Sequence, residues 1–325
     1  MSDRKEDILN ILKNSDQKPV SGEELGEQLG ISRTMVWKYI KSLKDDGYNI
    51  TSSTKTGYIL NSSPDMLYSE EILSGLKTSI IGNKIYHFDE LESTNEEAKR
   101  LAPDEDEGTV IISETQKSGR GRMGRDWTSP RGGIYMSVIL KPTIPASHAY
   151  HLTLVAGIAV ANAIRNLGIN ACIKWPNDIL INNRKVCGIL TEINAEIEKI
   201  DYIVLGMGIN ANVDTGMFSS ELKEGSTSLK SELGKPVERV SFVQNLLYEF
   251  EQEYIKFKSK PFNDIVDEWI SLSDTIGKEV SIMTPSKMVE GKAIGVTKNG
   301  ALIVKKDDGE KEEIIAGRCI YTRTS

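Results

Sequence analysis

Residues 116–127 (Gln-Lys-Ser-Gly-Arg-Gly-Arg-Met-Gly-Arg-Asp-Trp) restrict the folds open to this chain more than any other stretch. Gly119, Gly121 and Gly124 spell G-x-G-x-x-G. In a dinucleotide-binding fold that pattern lies between a strand and a helix, with an acid about 20 positions further on. A strand is present at residues 109–113, all apolar or β-branched but for Ser113. The helix is missing: Asp126-Trp-Thr-Ser-Pro-Arg-Gly-Gly133 follows, then a second β-type run at Ile134–Leu140. No Asp or Glu occurs from Trp127 to Asn177. A dinucleotide fold is therefore excluded, and so is a nucleotide P-loop, since no Gly-Lys-Ser/Thr closes the glycines. What remains is a glycine-loosened turn carrying Lys117, Arg120, Arg122 and Arg125. Guanidinium groups pair bidentately with phosphate or carboxylate, so the turn is either a solvated basic loop or an anion site.

The chain before this turn has a different texture. In residues 1–64, Ile8, Ile11 and Leu12 recur at helical spacing, and Ser21-Gly-Glu-Glu24 has the form of a capping box. Gly30-Ile31 makes a tight turn, after which Ser32 can cap a helix whose Val36, Ile40 and Leu43 face inward. Helix, short Gly turn, helix is the helix-turn-helix arrangement. Residues 48–51 and 57–60 are β-type, joined across Ser52-Ser-Thr-Lys-Thr56, and form an expected wing. From Ile31 to Lys44 there are four bases and no acid, as a recognition helix requires. The DNA-contacting candidates are Ser32, Arg33, Thr34, Lys38 and Lys41; a helical hairpin for protein contact is the alternative. One winged module buries only roughly 600–1,000 Å², so useful specificity implies two copies on two half-sites.

With 325 residues, about two domains and a sizeable core are available. A net charge of −7 excludes a wholly nucleic-acid-coating surface while allowing a local basic patch. Cys172, Cys187 and Cys319 are too far apart for a disulfide framework or a C-x-x-C metal site, and fit a reducing cytoplasm. His87, His148 and His151 lack zinc-ligand spacing. The N-terminus has no signal-peptide core, and the longest apolar-rich run, residues 152–164, is too short to span a bilayer.

A polar linker, Asn61-Ser-Ser-Pro-Asp65, precedes a strand at 84–88 and a helix at 95–101, for which Ser93 and Thr94 are cap candidates. A buried helix is expected over 151–167. Residues 171–181 form a strand interrupted by Lys174-Trp-Pro-Asn-Asp178, expected as a bulge, with a hairpin turn at Asn182-Asn-Arg184. Residues 202–210 are a buried strand, and 240–257 and 262–272 amphipathic helices. From about residue 273, short strands at 279–283, 289–296, 301–304 and 313–316 indicate a small β-barrel. The expected division is 1–64, 65–272 and 273–325.

Five motifs fall in order along this frame: Ser93-Thr94, Gly119-Arg-Gly-Arg-Met-Gly124, Lys174-Trp-Pro-Asn-Asp178, Lys185-Val-Cys-Gly-Ile-Leu190 and Gly208-Ile-Asn210. Together they resemble the biotin–protein ligase family. With the winged module in front, the chain is similar to its bifunctional bacterial members, which also repress biotin genes. The resemblance implies an α+β multidomain protein: a winged helix-turn-helix, a mixed-sheet α/β catalytic domain of the biotin/lipoate ligase type, and an SH3-like C-terminal β-barrel. It also implies the reaction. Biotin's carboxylate attacks the α-phosphate of ATP, giving biotinyl-5′-adenylate and pyrophosphate, and a carrier-domain lysine then attacks the mixed anhydride.

By the same resemblance, Lys185, Arg120 and Arg122 are the catalytic residues. Ser93, Thr94, Gln116 and Arg120, with Gly188 and Leu190, hold biotin. Arg120, Arg122, Arg125, Trp127, Lys185 and Asn210 contact ATP or the adenylate, Trp127 as a face for adenine. Asn210 and Asp178 are the Mg²⁺ candidates, the ion preferring hard oxygen ligands; Asp178 can instead assist the incoming amine. Trp175 is a packing residue, and Phe218 is the one aromatic in the polar segment after Asn210. The implied ligands are ATP, Mg²⁺ and biotin. The implied partners are a biotin carboxyl carrier protein or biotin-dependent carboxylase, operator DNA and, with adenylate bound, a second copy of the chain, all without a membrane. A non-catalytic sensing repressor and a lipoate-type ligase are the alternatives.

Overall fold

The computed structural model describes residues 4–53, 56–196 and 199–322, and its contacts separate into one unit ending at Met66 and another beginning at Leu67. In the first unit, α1 (Arg4–Asn14), α2 (Gly22–Leu29) and α3 (Arg33–Asp45) bury Ile8, Leu9, Leu12, Leu25, Val36, Ile40 and Leu43. The caps fall where expected. Ser21 accepts from the Glu24 N–H at 3.0 Å, Ser32 from the Met35 N–H at 3.3 Å, and Gly30 ends α2 in the left-handed region at φ 64°. An antiparallel pair, β1 (Asn49–Ser53) and β2 (Gly57–Ser62), completes the unit. Thr54 and Lys55 of the expected wing lie outside the described residues.

The second unit runs α4 (Ser69–Leu73), β3 (Ile85–Leu91), α5 (Thr94–Leu101), β4 (Val110–Gln116), β5 (Ile134–Leu140), α6 (His151–Arg165), β6 (Ala171–Lys174), β7 (Asp178–Ile181), β8 (Arg184–Glu196), β9 (Lys199–Ile209), α7 (Ser220–Gly225), α8 (Leu229–Leu233), α9 (Arg239–Ser259) and α10 (Phe262–Leu272). Its seven-stranded sheet has the order β3-β4-β5-β9-β8-β7-β6; β3 and β4 are parallel and the other pairs antiparallel. Side chains alternate across a sheet, and this sheet sorts them cleanly. Val110, Ile112, Ile134, Met136, Val138, Leu140, Ile203 and Leu205 join the main core, with Leu152–Ile164 of α6 and the inner faces of α9 and α10. On the other face, Ile111, Ile139 and Val204 pack against Ala98 of α5 and Ala102 at its C-cap. That smaller cover leaves part of the second face open. Among the described residues, no helix is long and apolar enough to cross a membrane.

One expectation is corrected. Residues 171–181 are not a single bulged strand. The chain reverses at Trp175-Pro176-Asn177, through a cis Trp175–Pro176 peptide, so that β6 and β7 pair with Lys174 opposite Asp178. Proline supplies no N–H for a ladder, and Trp175 leaves the sheet to bury its ring, its N–H donating to Thr275 Oγ1 at 2.9 Å. Asn182 and Asn183, at φ 51° and 61°, then form the two-residue turn into β8.

The C-terminal strands are β10 (Glu279–Met283), β11 (Met288–Val296), β12 (Leu302–Lys305), β13 (Lys311–Ile314) and β14 (Arg318–Tyr321), in an antiparallel sheet ordered β13-β12-β11-β10-β14. The last strand is additional to the four expected. This sheet is tied to the reversal beside it, through Thr275 and through the Asp274 N–H on the Ile173 carbonyl at 2.9 Å.

A buried ion pair holds the base of the glycine-arginine loop. Arg239, on α9, donates to Glu114 at 2.9 Å and to the Gly133 carbonyl at 2.8 Å. Glu114 also accepts from the Leu67 N–H at 2.7 Å, with His87 Nε2 at 3.5 Å. Burial alone raises the Glu114 pKa, but His87, the Arg239 charge and the Leu67 N–H outweigh it and hold the group below its ordinary value. A depressed folded pKa contributes stability above the ordinary carboxylate range, which is lost as pH falls through the folded value. Arg239→Ala leaves that carboxylate buried without its charge partner and is expected to cost about 3–5 kcal/mol. Adding Glu114→Gln should recover part of the loss in denaturant titrations of the full chain. A single-variant cost under about 1 kcal/mol, as for a surface pair, would contradict the assignment.

Candidate functional site

The open part of the second face is floored by glycine. Gly188 on β8 pairs with Gly208 on β9, and Leu190 pairs with Gly206. A Cβ on Gly208 would lie 2.5 Å from the Trp127 Nε1, one on Gly188 3.1 Å from the Lys185 Nζ and the Trp127 ring, and one on Gly206 would strike Asn95. Glycine is needed for space at 206 and 208, and at 188 an added Cβ would press on Lys185 and Trp127. Above them is a cavity of about 430 Å³.

The glycine-arginine stretch covers this cavity as a folded hairpin. The Trp127 N–H donates to the Gly119 carbonyl at 2.8 Å and the Gly121 N–H to the Arg125 carbonyl at 2.7 Å, with Met123 and Gly124 turning at φ 57° and 70°. The three arginines are placed differently. Arg122 points inward, donating to Asn177 Oδ1 at 3.2 Å and the Gly317 carbonyl at 3.5 Å. Burial pushes its pKa down, partly offset by the charge of Asp178. Arg120 is exposed, 3.2 Å from Glu96 Oε1, and Arg125 turns back to the Arg122 carbonyl at 3.3 Å.

Lys185 Nζ lies 2.6 Å from Asp178 Oδ1 and 5.1 Å from the centre of the Trp127 ring. Six cationic side chains border the cavity (Arg120, Arg122, Arg125, Lys174, Lys185, Arg318), against the two carboxylates of Asp126 and Asp178. The surplus is positive although the whole chain carries −7. The site is therefore suited to a ligand bearing several negative charges.

Polar groups line the opposite wall. Ser93 stands at the N-cap of α5 yet makes no side-chain capping bond, so capping does not explain it. The Thr94 N–H and hydroxyl both donate to Gln116 Oε1, at 2.8 and 3.2 Å, and Gln116 Nε2 donates to Ser129 at 2.8 Å. Ser137 Oγ lies 2.8 Å from Thr94 Oγ1 and 2.6 Å from Asn95 Oδ1, and Asn95 donates to Glu192 at 2.7 Å.

The structure thus brings Ser93, Thr94, Gln116, Arg120, Arg122, Arg125, Trp127, Asp178, Lys185, Gly188 and Leu190 around one cavity. Asn210 is not in its lining. It is buried, its N–H on the Val186 carbonyl and its Nδ2 on the Thr227 carbonyl, while its Oδ1 has no hydrogen-bond partner among the described residues. Asp178 and Asn210 lie on opposite sides of β8. Among the described residues, no cluster of three or more His, Cys, Asp or Glu could hold a metal. Phe218 does not border the cavity, whereas Leu222, Gly225 and Ser226 do.

Sequence reasoning missed Asn177, Ser137 and Ser129. Asn177 grips β8, donating to the Ile189 carbonyl at 2.7 Å, and accepts from Arg122. Ser137 had a signal: it is the one polar residue in a seven-residue run that is buried throughout. Arg318 and Tyr321 were missed with their strand.

In the first unit, Ser32 at the N-cap of α3 and Arg33, Thr34, Lys38 and Lys41 on the helix are all exposed, whereas Val36, Ile40 and Leu43 are buried. Trp37 stands among them, 55% exposed, with Lys41 Nζ 5.8 Å from its ring. Lys44 donates to Ser52 of β1 at 2.8 Å, joining the helix to the strand pair.

Residues 4–59 match the HTH domain family, residues 86–210 the Biotin/lipoate A/B protein ligase family, and residues 275–321 the Biotin protein ligase C terminal domain. The chain is 37% identical over 311 residues to the bifunctional ligase/repressor BirA of Bacillus subtilis, covering 95% of this chain and 96% of that one. It is 31% identical over 289 residues to the protein of the same name from Escherichia coli, covering 88% of each. The fold is similar to that of the biotin protein ligase from Aquifex aeolicus in complex with biotin and ATP, with a TM-score of 0.66 and 29% identity over 74% of this chain and 100% of that one. The chain belongs to the biotin protein ligase family.

Proposed function

We propose that this chain is an ATP-dependent biotin–protein ligase that forms biotinyl-5′-adenylate, transfers biotin to a lysine of a carrier domain, and represses biotin genes by binding operator DNA. The cation surplus over the glycine floor carries the ligase reading. The first step brings a carboxylate against a polyphosphate, and two unit negative charges about 4 Å apart repel by about 4 kcal/mol at an effective dielectric constant of 20. Fixed cations remove that repulsion without reorganising, which is the larger part of catalysis in such transfers.

Lys185 and Arg122, which both border the cavity with Asp178, meet the α-phosphate and the biotin carboxylate, and Arg120 closes the mouth. Ser93, Thr94 and Gln116, with backbone at Gly188 and Leu190, hold the ureido group. Trp127 gives adenine a face and Arg125 adds charge. A magnesium ion fits as one carried by ATP: the unpartnered Asn210 Oδ1 and the Asp178 carboxylate are hard oxygens, too few and too separated to form a resident site. Bound there, it would neutralise phosphate charge. The functional division follows as 1–64 for DNA, 65–272 for catalysis and 273–325 for the C-terminal sheet, in a cytoplasmic protein that dimerises with adenylate bound. Arg33, Thr34, Lys38 and Lys41 then contact the operator, Ser32 presenting the helix N-terminus.

With biotin, ATP and Mg²⁺ the protein should release pyrophosphate, and Lys185→Ala should lower that rate roughly 100- to 1,000-fold. No pyrophosphate from the parent, or an unchanged rate in the variant, removes the ligase reading; competition by lipoate at equal concentration would redirect it to a lipoate ligase. Lys38→Ala and Lys41→Ala should each weaken operator binding at all sequences alike and make the slope of log K against log salt shallower by about 0.9 for each phosphate left unneutralised. An unaltered slope would take α3 off the DNA. Sedimentation with adenylate should show dimers; monomers at concentrations where operator is bound would refute ligand-driven pairing.

A further inference from the structure

The polar wall of the cavity has a hydrogen-bond direction, and that direction is set from outside the cavity. Glu192, two positions past Leu190 and so on the same face of β8, takes two donors: Lys99 Nζ lies 3.0 Å from its Oε1 and Asn95 Nδ2 2.7 Å from its Oε2. An ion-paired carboxylate only accepts, so the Asn95 amide turns its NH2 to Glu192 and its oxygen away. That oxygen lies over Gly206, 2.6 Å from Ser137 Oγ. Having no proton of its own, it takes the one on the Ser137 hydroxyl. Ser137 Oγ is then the acceptor toward Thr94 Oγ1, 2.8 Å away.

This assignment puts a proton in every contact from Glu192 to Thr94, and reversing any one of them leaves a neighbour without. It spends the Thr94 proton inside the wall, with Gln116 Oε1 at 3.2 Å as the longer alternative. Gln116 does not reverse the order, because its Nε2 is committed to Ser129 Oγ, whose own proton goes to the Trp127 carbonyl at 3.0 Å. Ser137 is fully buried, out of reach of bulk water. What Thr94 offers the cavity is therefore a lone pair. Glu192 and Ser137 do not border the cavity, whereas Thr94 and Asn95 do, so the first two act through the others.

We propose that Glu192 is a positioning residue: acting through Asn95 and Ser137, it fixes Thr94 Oγ1 as the acceptor for a ureido N–H and so selects a cyclic urea over a ring without N–H groups. The inference rests on the ligase reading above. A sulfur ring such as that of lipoate leaves the Thr94 lone pair unpaired, and a site built to pair a polar group strongly rejects a ligand that lacks it. The direction depends on Glu192 having two acceptor oxygens for two donors, where an amide has one. In Glu192→Gln, Lys99 holds that oxygen and the NH2 faces Asn95, whose amide must turn over. Every proton in the chain then reverses, and Thr94 accepts within the wall instead of from the ligand.

The test measures dissociation constants on the full chain by calorimetry, without ATP, for biotin and for biotin methylated on its ureido nitrogens. Glu192→Gln should weaken biotin roughly five- to twentyfold, and Ser137→Ala by a similar factor. The preference for biotin over the methylated analogue should fall about fivefold in both, because the bond lost is the one that methylation removes. Lys99→Met releases the amide oxygen to Asn95. Added to Glu192→Gln it should restore affinity and preference, and alone it should stay within about threefold of the parent. A packing role for Glu192 gives no such recovery, since the double variant removes more contacts than the single one. Glu192→Gln matching the parent would overturn the inference. Equal weakening toward biotin and the methylated analogue, or a double variant no better than Glu192→Gln, would overturn it as well. A parent chain that binds no biotin would instead remove the ligase reading beneath it.

Discussion

Arg239 fixes the two ends of the segment on which the site depends. Glu114 lies two residues before Gln116, where the glycine-arginine stretch begins, and Gly133 stands just before β5, where that segment ends. One guanidinium on α9 binds both. A buried ion pair is weak evidence for net stability, because well-packed apolar groups often do as well. Its contribution here is positional. Arg239 holds the feet of a long excursion together from inside the core, and the hairpin bonds between Gly119 and Trp127 and between Gly121 and Arg125 shape the remainder. Arg122 then reaches Asn177, and Trp127 covers Gly208, because both ends of the loop are fixed.

The sheet divides its labour by face. The face under α6, α9 and α10 is continuous apolar core, so the strands cannot slip register without burying polar groups. The other face is apolar only beneath α5. Beyond that helix the positions become Gly188, Gly206 and Gly208, and the backbone itself becomes the floor. A site set on central strands inherits their rigidity. The buried chain from Ser129 through Gln116 and Thr94 to Ser137 and Asn95 extends that rigidity to the wall, since every member would be costly to leave unpaired.

Local chemistry was legible where it was sufficient. Ser21 and Ser32 cap as the sequence pattern indicates, and the bases of α3 stand on its outer face because Val36, Ile40 and Leu43 claim the inner one. The cavity residues are marked by motif, and the structure brings nearly all of them together. What escaped depended on partners distant in the chain. The pattern at 171–181 is equally consistent with one bulged strand or two short ones, and Thr275, a hundred positions on, marks the reversal by binding Trp175. Strand β14 has only four residues and pairs with β10 some 35 positions earlier, so no turn announces it. Arg318 was hidden with it. Asn210 is named by its motif, yet it does not border the cavity: its N–H completes the β8 ladder at Val186 and its Nδ2 donates to the Thr227 carbonyl.

The Lys185–Asp178 pair accounts for the resting state of so positive a site. Lys185 lies against Trp127 with nothing but glycine below it, and an ammonium there without a counter-ion would face Arg122 across the cavity. Asp178 supplies that counter-ion from the neighbouring strand, and the same carboxylate acts on Arg122, whose pKa it supports against burial. A single negative group thus balances two cations incompletely, and the remainder of the positive charge is left for the ligand. A neutral ligand entering this space would displace water from the cations and return nothing. A polyanion returns charge-assisted hydrogen bonds at each of them. Discrimination between the two therefore resides in what the protein leaves unpaired.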